Sequence, residues 1–446
     1  MKRHLTFAAF LILAVGVNAL DVFGVYKNTA PKGCSEVDLT AKGLTLSDLT
    51  DVAICNNPAL SADYMSLKSK EAALGAAKAG YLPAITVKGE GSLSGSKTEH
   101  EDSVQKEPYA ASAALSWLIY DFGGRSSNIG LNKAYLNAAE HAYDAALQET
   151  VLKVHSAYLR VLGSKESLKS AQASMKTYKK SFEESSRRYD LGMVSLLDKL
   201  QAKTAYEQST LTVTTAENTL RQNEGNLAVL LNLSPDTKLN LKEIPANDDS
   251  VIKLESGNDI KELMAYALEM RPEIKQSQSN IEAGKAGISS ARSGGLPSLS
   301  AVAKAQYDDN WKRSLPYQRG SSVGLELSWP IFSGFNTSYS VDKAKYEYES
   351  AKESLKDTKI TVLNEVWSYY QNYNTAVKSY QISKQIVATA EENARVASRY
   401  YEVGKSDILN LLTANANLAD AREGLVNAYY GLLISKADLY RAIGRF

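Results

Sequence analysis

The chain is poor in residues that carry enzyme chemistry. It has two cysteines and four histidines in 446 residues, and no two histidines lie at a metal-ligand spacing. The nucleophile-elbow, phosphate-loop and His-Glu-x-x-His motifs are also missing. Acidic and basic residues are almost equal in number, at 50 and 51, which gives no indication of nucleic-acid binding. The sequence therefore offers no basis for an enzyme, a cofactor or a metal centre.

The chain also lacks a long apolar run after its first segment, so no helical membrane span of about 18 residues can be drawn. The first segment has a basic start, an apolar run from Leu5 to Val17 and small residues up to Ala19. This pattern predicts a secretory signal peptide over 1–19, because the run is too short to span a bilayer. We expect an exported protein with an N-terminal segment at 20–43.

The two cysteines, Cys34 and Cys55, both lie near the predicted start of the mature chain. An exported chain meets an oxidising compartment, where an even pair of cysteines can form a disulfide. The residues before Cys34 lack the apolar side chain of a lipoprotein signal, which disfavours a lipid anchor. We therefore expect a structural disulfide between the two.

One unit is written twice in the sequence. Its markers recur 212 to 214 positions later: Asn57-Pro58 as Arg271-Pro272, Tyr81-Leu82-Pro83 as Gly295-Leu296-Pro297, and Tyr189-Asp190-Leu191-Gly192 as Tyr401-Glu402-Val403-Gly404. A fixed period indicates a repeat architecture. We predict repeat 1 over 44–233 and repeat 2 over 258–446, joined by a linker at 234–257 that is rich in helix breakers.

Each repeat has the same predicted order of elements: a helix, two strands, a very long helix and a shorter helix. In repeat 1 they cover 46–79, 84–96, 109–120, 127–189 and 195–231. In repeat 2 they cover 258–292, 298–308, 321–332, 337–401 and 407–442. Small and apolar residues recur at steps of three and four in the long helices, which favours coiled-coil packing. At ~1.5 Å per residue such a helix reaches about 95 Å, longer than a compact bundle needs.

The four predicted strands alternate polar and apolar residues. Each has about 9–11 residues, the length that a tilted strand needs to cross a bilayer, and aromatic residues lie near both ends. The polar faces include Lys88, Glu90, Lys304 and Glu326, which we expect to line a water-filled lumen. A soluble sandwich is the alternative, but four strands in a helical chain are too few for one. Four strands also cannot close a barrel around a pore, so we expect several chains, three of which would supply twelve strands.

The order of these elements resembles the TolC-like outer-membrane factor family over roughly 44–444. The residues that carry the similarity are the strand-to-helix turns and the glycine turns between helices: Tyr120-Asp121-Phe122-Gly123-Gly124-Arg125, Phe332-Ser333-Gly334, Tyr189-Asp190-Leu191-Gly192 and Tyr401-Glu402-Val403-Gly404. The resemblance implies an α+β membrane protein, a homotrimer whose twelve-strand outer-membrane β-barrel continues into a periplasmic α-helical barrel.

The resemblance also implies a function. Members of this family are the outer-membrane channels of tripartite efflux pumps and type I secretion systems, with a periplasmic adaptor protein and an inner-membrane transporter as partners. A periplasmic adaptor or a structural coiled-coil protein is the alternative. An adaptor would have one helical hairpin and soluble β domains, and a coiled-coil protein would have no strands.

Two residues match a hydrogen-bonded link that holds the family's tunnel closed at its periplasmic end. They are Asp198 and Tyr401, and a tyrosine hydroxyl that donates to a carboxylate suits a releasable latch. A solvated helix carboxylate is the alternative for Asp198. The family's gate arginine is Ser406 in this chain, so that salt bridge is missing.

The same resemblance assigns further residues near the glycine turns. The turn residues Gly192-Met193 and Gly404-Lys405 are expected to contact the adaptor. Two aspartates that constrict the tunnel in the family fall on Asn410 and Thr413, and Asp407 lies nearby. An acidic ring at those two positions is therefore not expected here.

Overall fold

A computed structural model describes residues 43–92, 94–96, 104–106, 108–243, 259–310 and 317–445. The predicted signal peptide and Cys34 lie outside these ranges, as does most of the N-terminal segment and of the linker. The described chain forms two compact units. The first comprises the described parts of Met1–Met65, Thr150–Asp248 and Ser379–Ile434, and the second those of Ser66–Glu149, Asp249–Lys378 and Ser435–Phe446.

Two pairs of short helices are each divided at a proline. The pairs are α1 (Leu46–Asn56) with α2 (Pro58–Ala79), and α5 (Ile260–Met270) with α6 (Pro272–Ser293). The single helices predicted over 46–79 and 258–292 are therefore wrong. Proline has no N–H group and disfavours helical backbone in the residue before it. Asn57 and Arg271 accordingly have extended backbone, with ψ angles of 118° and 126°.

Four longer helices form two hairpins. They are α3 (Gly124–Asp190) and α7 (Asn336–Glu402), of 67 residues each, and α4 (Leu196–Leu230) and α8 (Ile408–Ala442), of 35 residues each. Gly192 and Gly404 follow the ends of α3 and α7 by two residues, and their φ angles of 69° and 72° are strained for other residues. The N–H groups of Met193 and Lys405 then donate back across the last turn, at 2.8 Å each.

The second unit contains a four-stranded antiparallel sheet in the order β1-β4-β5-β6. Its strands are β1 (Ala84–Gly91), β4 (Pro108–Tyr120), β5 (Ser298–Asn310) and β6 (Gln318–Ser328), while β2 (Ser94–Ser96) and β3 (Val104–Lys106) pair separately. Two predicted strands were too long. The one over 84–96 breaks after Gly91, in a stretch of glycine and serine that favours strands poorly. The one over 321–332 ends before Pro330, which cannot donate to a sheet.

In each repeat, a residue near the start donates a hydrogen bond to the end of the last helix, and the two donors are at equivalent positions. In the first unit, the Asn57 side-chain amide donates to the carbonyl of Leu230 at 3.3 Å, at the end of α4. In the second unit, Nη1 of Arg271 donates to the carbonyl of Ala442 at 3.1 Å, at the end of α8. Carbonyls in the last helical turn have no partner within their helix. The residue before each proline therefore ties the start of a repeat to its last helix.

Arg271 is also the centre of an ionic network in the second unit. Its guanidinium donates to both oxygens of Glu273, at 2.8 and 3.0 Å, and to Glu365 at 2.9 Å. Arg441 approaches the same two carboxylates at 3.1 and 3.4 Å. Arg271 is only 2% exposed. A buried guanidinium is tolerated only when its donors are matched in this way.

Within the described ranges, no helix has the length and apolar character needed to cross a membrane.

Candidate gate and lumen site

The sheet register brings the four predicted lumen residues to one face. Alternate residues of a strand share a face, and so do residues paired across antiparallel strands. The pairs that connect the four are Lys88 with Ser112, Ser112 with Gln306, and Lys304 with Ser322. Glu90 is two residues from Lys88, Lys304 is two from Gln306, and Glu326 is four from Ser322. One face of the sheet therefore carries all four charges.

The opposite face is apolar and uncovered in the single chain. It includes five large aliphatic side chains with 66–89% of their surface exposed: Ile85, Val87, Val323, Leu325 and Leu327. A face with so many large aliphatic side chains is rarely exposed to water, so it indicates contact with lipid or protein. A polar face backed by an apolar one is the pattern of a strand that separates water from lipid.

One loop joins the two helices of each hairpin. We call residues 191–195 the first tip turn and residues 403–407 the second. Asp198 follows the first tip turn, and its carboxylate accepts a hydrogen bond from the Ser195 N–H at 3.0 Å. The Ser195 hydroxyl in turn accepts from the Asp198 N–H at 3.2 Å. This reciprocal capping box satisfies two N–H groups at the start of α4. Asp198 is therefore a helix cap.

Tyr401 lies just before the second tip turn and is 3% exposed. Its ring belongs to a buried cluster with Ala202, Ile408 and Leu411. Its hydroxyl has no hydrogen-bond partner in the described chain, so the predicted bond to Asp198 is not formed there. The Asp198 carboxylate instead caps its own helix through Oδ2. Burial raises the pKa of Tyr401; the Ser185 hydroxyl and the Arg188 charge oppose this rise, and the carboxylates of Asp198 and Glu184 add to it.

Arg188, in the last turn of α3, makes the contact that sequence reasoning missed. Its Nη1 donates to the carbonyl of Tyr401 at 2.9 Å, and its Nη2 donates to the carbonyl of Glu402 at 2.8 Å. Its Nε donates to Glu184 on its own helix at 2.9 Å. The guanidinium carbon lies 4.6 Å from the centroid of the Tyr401 ring. One side chain therefore joins the C-terminal turns of α3 and α7.

The other predicted gate residues lie at the start of α8: Asp407 directly precedes the helix, and Asn410 and Thr413 belong to it. The Asp407 carboxylate accepts from the Asn410 N–H at 2.9 Å, and the Asn410 amide donates to the Ser406 hydroxyl at 3.3 Å. The structure thus brings Asp407 and Asn410 together as the cap of α8. Thr413 is exposed three residues further along the same helix.

The predicted adaptor contacts lie in the two tip turns. Gly192 and Gly404 supply the left-handed backbone described above, and Lys405 is exposed. Three apolar side chains beside them are 67–74% exposed: Leu191, Met193 and Val403. The tips therefore present apolar side chains to the surroundings.

The fold is that of solved outer-membrane channels. The chain matches the structure of the outer-membrane channel OprN with a TM-score of 0.77 at 20% identity, over 90% of both chains. The α+β fold predicted from the sequence, with two helical hairpins and a sheet, is confirmed. The likeness shows that the two chains share one fold.

The chain belongs to the outer membrane efflux protein family, whose pattern it matches over residues 49–233 and 263–445, one segment in each repeat. Protein CyaE of Bordetella pertussis is 26% identical over 383 residues, which are 85% of this chain and 80% of that relative. The probable efflux pump outer membrane protein TtgC of Pseudomonas putida is 25% identical over 407 residues, 90% of this chain and 82% of the relative. The protein is thus a channel of the outer membrane that extends into the periplasm and serves efflux or secretion.

Proposed function

We propose that three copies of the chain assemble into one channel, in which three sheets close a twelve-strand barrel. The observation that carries this proposal is that β1 and β6, the outer strands of the sheet, each pair with a single neighbour in the described chain. An open edge leaves a row of backbone N–H and C=O groups without partners, which is costly inside a membrane. Pairing β6 of one copy with β1 of the next removes every such edge.

In this assembly the charged face of the sheet lines the lumen and the apolar face contacts lipid. The large exposure of Val323, Leu325 and Leu327 supports this orientation, because a lumen filled with water would leave those side chains uncovered. The lumen face also carries Asp308, two residues from Gln306, so in the described strands it has two lysines against two glutamates and one aspartate.

The channel acts as a passive conduit from the periplasm to the exterior and carries out no catalysis. It works with a periplasmic adaptor protein and an inner-membrane transporter. The exposed apolar residues of the two tip turns supply a contact surface for the adaptor, because a cluster of this kind is typical of protein–protein contact. The tip turns are also where the conduit closes.

The test combines mass and conductance. The protein is extracted from outer membranes in detergent, its mass is measured by light scattering, and the same sample is reconstituted into planar bilayers. We expect a heat-modifiable trimer that conducts ions. A monomer, or a trimer without conductance, would contradict the proposal.

A further inference from the structure

We propose that Arg188 is the positioning residue that holds the two tip turns together, and that the tip opens when its guanidinium leaves the end of α7. The inference rests on the proposed function in one respect, namely that the conduit closes at the tip turns. It assigns the closing contact to a side chain other than the Tyr401 and Asp198 pair.

The acceptors of Arg188 suit a strong contact. The carbonyls of Tyr401 and Glu402 belong to the last turn of α7, where carbonyl groups lack partners within the helix and carry the negative end of the helix dipole. A guanidinium presents its donors in a fixed planar fork, so two parallel bonds form only when the two helix ends keep one geometry. The contact therefore fixes the position of α7 relative to α3.

The surroundings of Arg188 strengthen and orient the contact. Its side chain is 14% exposed, which limits screening by water and salt. Glu184 accepts from Nε at 2.9 Å and thereby fixes the side-chain rotamer. The Tyr401 ring covers the guanidinium at 4.6 Å, a distance typical of a cation–π contact.

The alternatives at the tip are weaker in the described chain. The Tyr401 hydroxyl has no hydrogen-bond partner there, and Asp198 is engaged as a cap. Arg188 thus donates the hydrogen bonds that join the ends of α3 and α7, directly before the two tip turns.

The repeat shows that the contact is not a general property of helix hairpins. The position equivalent to Arg188 in repeat 2 is Tyr400, which is 54% exposed. The first hairpin therefore supplies the donor and the second hairpin the acceptors. A side chain needed only to end a long helix would be expected in both copies.

Arg187 provides a matched control, because it is the adjacent arginine and pairs with the same Glu184 at 2.6 Å. Its side chain is 64% exposed, and its hydrogen bond stays within α3. Arg187→Gln and Arg188→Gln therefore make the same chemical change on the same helix. They differ in whether a bond between the tip turns is lost.

The experiment compares full-length purified wild type, Arg188→Gln, Arg188→Lys and Arg187→Gln by single-channel recording in planar bilayers. We expect Arg188→Gln to raise the open probability about tenfold or more, since ~1.4 kcal/mol corresponds to tenfold in a two-state equilibrium. Arg188→Lys should lie between that variant and wild type, because an ammonium group can reach one carbonyl but cannot form the fork. Arg187→Gln should match wild type, and the thermal stability of all four should be similar.

A second readout does not depend on conduction. Spin labels at Met193→Cys and Val403→Cys report the distance between the tip turns. We expect a longer and broader distance distribution in Arg188→Gln than in wild type or Arg187→Gln. If wild type fails to conduct but this difference appears, the proposed function fails and the role of Arg188 stands.

Two outcomes would overturn the inference. One is an open probability and a label distance in Arg188→Gln equal to those of wild type. The other applies if Arg188→Gln does not assemble: Arg188→Lys then decides, and wild-type values in that variant would show that the fork is not what holds the tip turns.

Discussion

Arg271 is the position in the second unit at which we expect a substitution to destabilise the protein most. Its guanidinium donates hydrogen bonds to Glu273, Glu365 and the carbonyl of Ala442. Removing one partner of a buried ion pair leaves the other charged groups without a partner. We expect Arg271→Met to lower the free energy of unfolding by ~3–5 kcal/mol. The measurement is denaturant unfolding of the detergent-solubilised protein.

Arg441→Gln is the control for that variant. Arg441 shares both glutamates with Arg271, but its side chain is 18% exposed, so water can replace part of what it supplies. We expect Arg441→Gln to lower the free energy of unfolding clearly less than Arg271→Met does. Equal losses in the two variants would show that burial is not what distinguishes Arg271.

Tyr401 gives a second prediction for a single residue. Its hydroxyl has no partner in the described chain, so removing it breaks no hydrogen bond. We expect Tyr401→Phe to leave the open probability in planar bilayers unchanged, whereas Asp198→Ala should lower helix stability by about 1 kcal/mol through loss of the capping box. A raised open probability in Tyr401→Phe would restore the latch predicted from sequence.

Glu184 makes the tip sensitive to acid. The hydrogen bonds from Arg187 and then Arg188 lower the pKa of Glu184. A carboxylate whose pKa is lowered by folding stabilises the folded contact above its unfolded pKa, and this stabilisation is lost as pH falls through the lowered value. We expect the open probability to rise as pH falls below about 4, the ordinary range of glutamate. Single-channel recordings at a series of pH values check this. In Glu184→Gln the rise of the open probability at low pH should be absent.

At the scale of elements, the two faces of β6 give a direct test of the register. Leu325 and Glu326 are neighbours on opposite faces of the sheet. We expect Leu325→Arg to cost ~2–4 kcal/mol and to impair assembly, because it places a charge against lipid. Glu326→Arg should assemble normally and change the conductance. Assembly can be followed by heat-modifiable migration on gels, and equal behaviour of the two variants would mean that the faces are assigned the wrong way round.

The ends of the elements show what sequence reasoning could predict. Gly192 and Gly404 predict where α3 and α7 end, because few other residues accept a positive φ. Pro58 and Pro272 carried an equally strong local signal, and reading through them produced two helices that do not exist. Asp198 had a signal too, since Ser195 three residues earlier completes a capping-box motif.

The contact made by Arg188 could not be predicted in this way. A basic residue in the last turn of a helix is common and fits the helix dipole without any further partner. Its acceptors are backbone carbonyls, which every residue possesses, so nothing in the residue types at 401 and 402 marks them. The same holds for the Arg271 bond to the carbonyl of Ala442. Such links depend on tertiary placement.

At the scale of the whole molecule, the proposed assembly predicts that stability depends on association. If the sheet is completed only by other copies, the folded protomer is stabilised by mass action, and its apparent stability depends on concentration. We expect the thermal midpoint of the detergent-solubilised protein to rise with protein concentration. A midpoint that is constant over a hundredfold range would indicate that each chain is stable alone.

The outer strands of the sheet also affect the chain between its export and its assembly. In the proposed assembly, each protomer carries two unpaired strand edges before it meets its copies, and such edges favour aggregation. A short synthetic peptide with the sequence of β6 should occupy the β1 edge in place of the next copy. The interval between export and assembly is therefore the stage at which this protein can be antagonised from outside.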